Sequence, residues 1–265
     1  MKRFSREELE AEMALRFLAR ANPPPILFRY RRPSDWTIDE ISKHELYAAT
    51  SQELNDPFEC HAPVVWNIES LRKQFIQNAP AFGVSPEKAS EEFDSTSDWA
   101  KKQLLEKWEA TKAQTRIVCF SSKPDSIRMW SYYAQAHEGI CVGYDSTSRP
   151  FWVAQKVKYQ NSDNPFDVIG AFETDPTLIA DNITCRKSAE WEFEQEYRVA
   201  SNLGDIRLIP FDAFAIKEIR FGVRTNPEFK NRVLEVVKHF PHSPTLIQMG
   251  CDFDRFILTE SVIYQ

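Results

Sequence analysis

Glycine is scarce, at seven residues in 265, and neither GxGxxG nor GxxxxGK[ST] occurs. A glycine-rich loop that cradles phosphates through its backbone is therefore excluded as the basis of function. CxxC and HExxH are also absent, and no Cys/His cluster has the spacing of zinc ligands. Cys60 and His61 are adjacent but have no second pair nearby, so no metal site is expected. The five cysteines (Cys60, Cys119, Cys141, Cys185 and Cys251) are odd in number and widely spread. That pattern predicts reduced, buried thiols in a cytoplasmic protein, not a disulfide framework. No run approaches the ~18 apolar residues that span a bilayer. The opening MKRFSREELEAEM turns acidic without an apolar core, so no signal peptide and no membrane partner are expected. With a net charge of −6, attraction to nucleic acid would need a local basic patch.

What is present is a mixture of strand and helix patterns. Ser5 with Glu8 forms a capping box, and Leu9, Met13 and Phe17 follow at helical spacing. The predicted helix, about 5–20, stops at the prolines of 22–25, and residues 1–25 read as an amphipathic helix plus hinge. Its stripe of Leu9, Met13, Phe17 and Leu18 is expected to pack on the body or on a second subunit, which would make a homodimer. Strand patterns occur at 26–31, 47–51, 116–122, 139–145, 153–160, 194–201, 216–223, 245–250 and 255–263. Helices are expected at 37–46 (capped by Thr37), over a charged block at about 68–113, at 125–136, near 176–182, and from Asn226-Pro227 to about His239. Strands and helices do not alternate regularly. This predicts one α+β domain over 26–265 with a mixed, mainly antiparallel sheet and a helical insertion on one side.

Four places set polar residues beside apolar strands. In LFRYR, alternation puts Leu27, Arg29 and Arg31 on one face and Phe28 and Tyr30 on the other. Arg29 is either a surface arginine or a guanidinium aimed at a phosphate or ribose. In NDPFE, Asn55 and Asp56 either bond their own turn or, with Glu59, border a site. Ser121 ends a buried strand, and Trp130, Tyr133 and His137 follow on one helix face as core or as a binding wall. In AEWEFEQEYRVAS, Glu192, Glu194 and Glu196 alternate. On a strand, Glu194 and Glu196 share a face with Arg198, about 7 Å apart, and if partly buried one pKa should rise. A solvated strand face and a catalytic site both fit.

Taken together and in order, NDPFE, the block CFSSKPDSIRMWSYYAQAHEGICVGYD, KSAEWEFEQEYRV and IKEIRFGV resemble the bacterial family catalogued as "domain of unknown function 2971". The likeness extends over most of 26–240. The order of elements is also similar, more faintly, to the ADP-ribosyltransferase fold, which binds NAD⁺ in a cleft between two small sheets. That resemblance implies a split sheet and NAD as substrate. By position it implies roles for Arg29, Ser121 and Glu196, with Glu196 as the essential carboxylate and Glu194 activating the acceptor. Tyr30, Trp130 or Tyr133 would stack on a ring, and Asn55 and Asp56 would line the same cleft. The acceptor could be protein, nucleic acid or small molecule, in a toxin or defence setting. Two alternatives stand beside it: a non-catalytic interaction module, and a metal-dependent nuclease built on Asp56, Glu194 and Glu196.

Overall fold

The computed structural model describes residues 21–61, 63–161, 165–174, 177–202 and 205–264. The expected N-terminal helix lies outside them. In chain order the strands and helices are β1 (Ile26–Arg31), α1 (Asp35–Lys43), β2 (Glu45–Tyr47), β3 (Val64–Val65), α2 (Ile68–Asn78), α3 (Pro86–Gln114) and β4 (Thr115–Ser121). There follow α4 (Ile127–Tyr133), β5 (Ile140–Asp145), β6 (Gln155–Lys156), β7 (Lys158–Gln160), β8 (Phe166–Asp167), α5 (Val168–Thr174), α6 (Thr177–Thr184) and β9 (Arg186–Ser188). The chain closes with β10 (Glu196–Asn202), β11 (Leu208–Pro210), β12 (Ile216–Phe221), α7 (Pro227–Val237), β13 (Thr245–Asp252) and β14 (Ile257–Tyr264).

Eight strands form one sheet in the order β14-β13-β12-β5-β1-β4-β10-β6. Within it only β12 and β13 pair in parallel, joined through α7. The fold is α+β with a mainly antiparallel sheet, and its strands come from both ends of the described chain. The insertion helices α2 and α3 stay outside the sheet.

Local signals explain most boundaries. Ser85 accepts a hydrogen bond from the Lys88 amide and Pro86 opens α3; Asn226 and Pro227 open α7 in the same way. Other boundaries differ from the sequence pattern. Ser34, not Thr37, caps α1, because its hydroxyl accepts from the Thr37 amide. The 47–51 strand shrinks to β2 and an isolated bridge between Ala49 and Ile117. The 153–160 strand divides into β6 and β7, which pair with β10 and β9 respectively. The helix expected to reach 136 stops at Tyr133, where Gln135, Ala136 and His137 take positive φ of 48°, 51° and 72°. Three successive left-handed residues cost ~1–2 kcal/mol each. They swing the chain back so that Gly222 donates to the Gly139 carbonyl at 3.0 Å. A Cβ at Gly139 would sit 2.0 Å from the Arg31 carbonyl oxygen, so only glycine allows this approach.

Strand alternation gives the sheet two distinct faces. One is a single large core, with Leu27, Val118, Phe120, Val142, Tyr144, Tyr197 and Ile219 under Ile41 of α1 and Phe229 and Val233 of α7. The other face carries two apolar clusters. Phe28, Tyr30, Cys141 and Met249 lie under Met129 and Trp130 of α4. Ile117 lies under Trp108 of α3, Val168 of α5 and Ile183 of α6.

Candidate functional site

The sheet is nearly parted between β1 and β4. β1 pairs with β5 along its whole length, but with β4 only at Phe28 and Ser121. Arg29 fills the seam. Its Nη1 donates to the Cys119 carbonyl at 3.2 Å and its Nη2 to the Tyr47 carbonyl at 3.3 Å. Its Nε lies 3.2 Å from Glu40 Oε1, and Arg31 Nε lies 3.1 Å from Glu40 Oε2, as charge contacts without hydrogen-bond alignment. A cleft of about 430 Å³ opens here, lined by β1, the 53–59 turn, the end of β4, α4 and the start of β10.

On the face between the two apolar clusters lies a buried group of charges. Arg198, with no exposed surface, is held by two carboxylates. Its Nε and Nη2 donate to Glu196 Oε1 and Oε2 at 2.8 and 2.9 Å. Its Nη1 and Nη2 donate to Glu59 Oε1 and Oε2 at 2.5 and 2.9 Å. Lys187 reaches Glu194 Oε2 at 2.6 Å and Glu196 Oε2 at 3.5 Å, with its ammonium 4.6 Å above the Trp191 ring. Glu194 Oε1 accepts a very short hydrogen bond from the Tyr133 hydroxyl. The Tyr159 hydroxyl accepts from the Glu196 amide at 2.8 Å.

The two glutamates do not share a strand face, contrary to the alternating pattern. Residues 189–194 form a 3-10 turn, Gln195 takes φ 45°, and β10 begins only at Glu196. The turn aims Glu194 at Lys187 and Tyr133, while the strand aims Glu196 at Arg198. Their acidities separate accordingly. Burial, and then the charge of Glu196, push Glu194 up to about 7, against the pull of Lys187 and Tyr133. Burial also works against ionisation of Glu196, but Arg198 and Lys187 outweigh it and hold that carboxyl below its ordinary range. Burial works against the Lys187 ammonium, yet Glu196 and Glu194 keep its pKa raised. Burial and the Glu194 charge push the Tyr133 hydroxyl up, so it stays a donor. A carboxyl poised near neutral pH beside one held ionised can exchange a proton with a bound molecule.

Of the candidate residues, Arg29, Tyr30, Asn55, Ser121, Tyr133, Glu194 and Glu196 line the cleft. Asp56 and Trp130 do not. The Asp56 carboxylate is buried and accepts from the Phe58 amide at 2.9 Å, closing its own turn. Trp130 is wholly buried, donates to the Pro124 carbonyl at 2.9 Å and stacks on His137, so it is core. The Ser121 hydroxyl donates to the Glu194 backbone carbonyl at 2.6 Å and accepts from the Lys123 amide, which ties β4 to the turn. Lys187 opens the KSAEWEFEQEYRV block that carries part of the resemblance, but nothing local assigned it a role. Among the described residues no group of His, Cys, Asp and Glu could hold a metal ion. Asp56 is turned to its own loop and does not line the cleft, and Glu194 and Glu196 are paired with cations.

No family model, curated protein or solved structure matches the chain. The described residues contain no helix long and apolar enough to cross a membrane.

Proposed function

We propose that the cleft binds NAD⁺ and that the chain cleaves its nicotinamide–ribose bond, as an ADP-ribosyltransferase-like enzyme or NAD glycohydrolase. The observation that supports this best is the pair of buried carboxylates with separated acidities at the edge of a 430 Å³ cleft. In this reading the C1′–N1 bond breaks and nicotinamide leaves neutral with the bonding electrons. The ribose is left as a positively charged oxocarbenium ion. Glu194, in its ionised fraction, takes the proton of the attacking hydroxyl, from water or an acceptor. Glu196 is a fixed negative charge steadying the transition state, its position set by Arg198 and Lys187. These are the roles that the resemblance implies for the two glutamates, and the two hydrogen bonds that Glu196 accepts from Arg198 suit it to the fixed charge.

The test is incubation with NAD⁺ labelled in the adenosine half, with and without cell lysate. Nicotinamide release and, with an acceptor, label transfer are expected. Glu194→Gln should lower turnover at least about 100-fold. If folded protein releases no nicotinamide under either condition, the reading fails. The charge group is then a buried structural network and the chain a binding module.

A further inference from the structure

We propose that the acidic end of the cleft receives one positive charge carried by a planar organic ring, and that this ligand displaces a proton from the carboxylate group. The proposal rests on the reading of the cleft as a ligand site and adds what it selects for. Five charged side chains are in direct contact there: Glu59, Glu194 and Glu196 against Lys187 and Arg198. Three carboxylates and two cations leave one negative charge uncompensated in a buried place, which a proton or a ligand cation must neutralise. Glu59 and Glu196 each accept two hydrogen bonds from Arg198, so the proton falls to Glu194.

The titratable groups facing Glu194 come from four elements: Tyr133 from α4, Tyr159 from β7, Lys187 from β9 and Glu196 from β10. None of them supplies the missing charge. The β1 side of the cleft has the opposite balance. There Arg29 and Arg31 share the single carboxylate of Glu40, and exposed Arg32 adds a further positive charge at the rim. A cleft negative at one end and positive at the other fits a ligand that joins a cationic ring to anionic phosphates. An oxidised pyridine dinucleotide has that form. Its reduced form has a neutral ring and would leave the proton in place.

The test is titration calorimetry of the full chain near neutral pH, in two buffers of different ionisation enthalpy. The ligands are NADH, 1-methylnicotinamide, a planar cation without phosphate, and NAD⁺ as its carbocyclic analogue, whose ring–sugar bond is not cleaved, because turnover of NAD⁺ itself releases a proton. Net proton release approaching one per ligand is expected for the two cations and none for NADH. Glu194→Gln should abolish the release, and Glu194→Asp, which keeps a carboxyl, should retain it. Equal proton release with the NAD⁺ analogue and NADH, no release with either cation, or no binding of either cation at millimolar concentration overturns the proposal. Nicotinamide production without proton linkage would refute this inference and leave the proposed function standing. Cation binding with proton release but no cleavage of NAD⁺ itself would do the reverse.

Discussion

At the scale of the residue, Glu194 is the group whose chemistry depends most on its surroundings. Its carboxyl is raised to about 7 by burial and by Glu196. Between the ordinary carboxyl range and that value, the folded protein holds a proton that the unfolded chain has lost. Stability therefore falls as pH rises across this window, and above it the full cost remains. Glu194→Gln removes the titration. Urea denaturation at about pH 5 and about pH 8 should show the wild type losing on the order of 2–3 kcal/mol relative to the variant. An equal difference at the two pH values would mean that Glu194 is not raised. Glu196 acts oppositely: its depressed pKa gives stability above the ordinary carboxyl range that is lost as pH falls through the folded value.

At the scale of the element, the seam between β1 and β4 depends on one guanidinium. Arg29 bonds two backbone carbonyls and faces Glu40, and each contact would be left unmade by an apolar side chain. Arg29→Met is expected to lower stability by about 3–5 kcal/mol, measured by denaturant unfolding, because a buried carboxylate loses a partner. Unchanged stability with weakened nucleotide binding would instead make Arg29 a ligand contact. The turn after α4 gives a second expectation. Ala136 has φ 51° between two other left-handed residues. Ala136→Gly is expected to leave stability unchanged or raise it by up to about 1 kcal/mol, since relief of left-handed strain offsets glycine's added unfolded-state entropy. A clear loss would show the turn to be unstrained.

At the scale of the whole molecule, stability is unevenly spread. β1, β5 and β12 lie inside the sheet with side chains buried on both faces. β14 is an edge strand, with Ile257 47% and Val262 60% exposed, and the insertion exposes Trp99 at 67% and Phe82 at 83%. In hydrogen exchange the amides of β1, β5 and β12 are expected to exchange last, through global unfolding, and those of β14 and the exposed end of α3 first. Comparable protection in β14 and β5 would show that something covers the edge.

The sequence by itself determined the class of fold and most of its elements. Residues 26–31, 116–122 and 139–145 are recognisable as strands, and Ser85-Pro86 and Asn226-Pro227 as helix starts. These signals are local: alternation, capping hydroxyls and amides, and proline at the first helical position act within a few residues. The tendency of Arg29, Asn55, Ser121, Tyr133, Glu194 and Glu196 to border apolar segments was visible as well. Local pattern left Trp130 open between cleft and core, because an aromatic on a helix face reads the same in both, and the resemblance placed it in the cleft. It also put Glu194 on a strand, because alternation of glutamates does not reveal a left-handed residue at 195. Only the tertiary structure decided that Arg198 meets Glu59, 139 residues away, and that Lys187 bridges two glutamates. Those contacts follow from strand order and from the turn before β10. They fix which carboxyl is neutralised by a cation and which is left to bind a proton, a balance of burial against charge that exists only once the side chains are brought together.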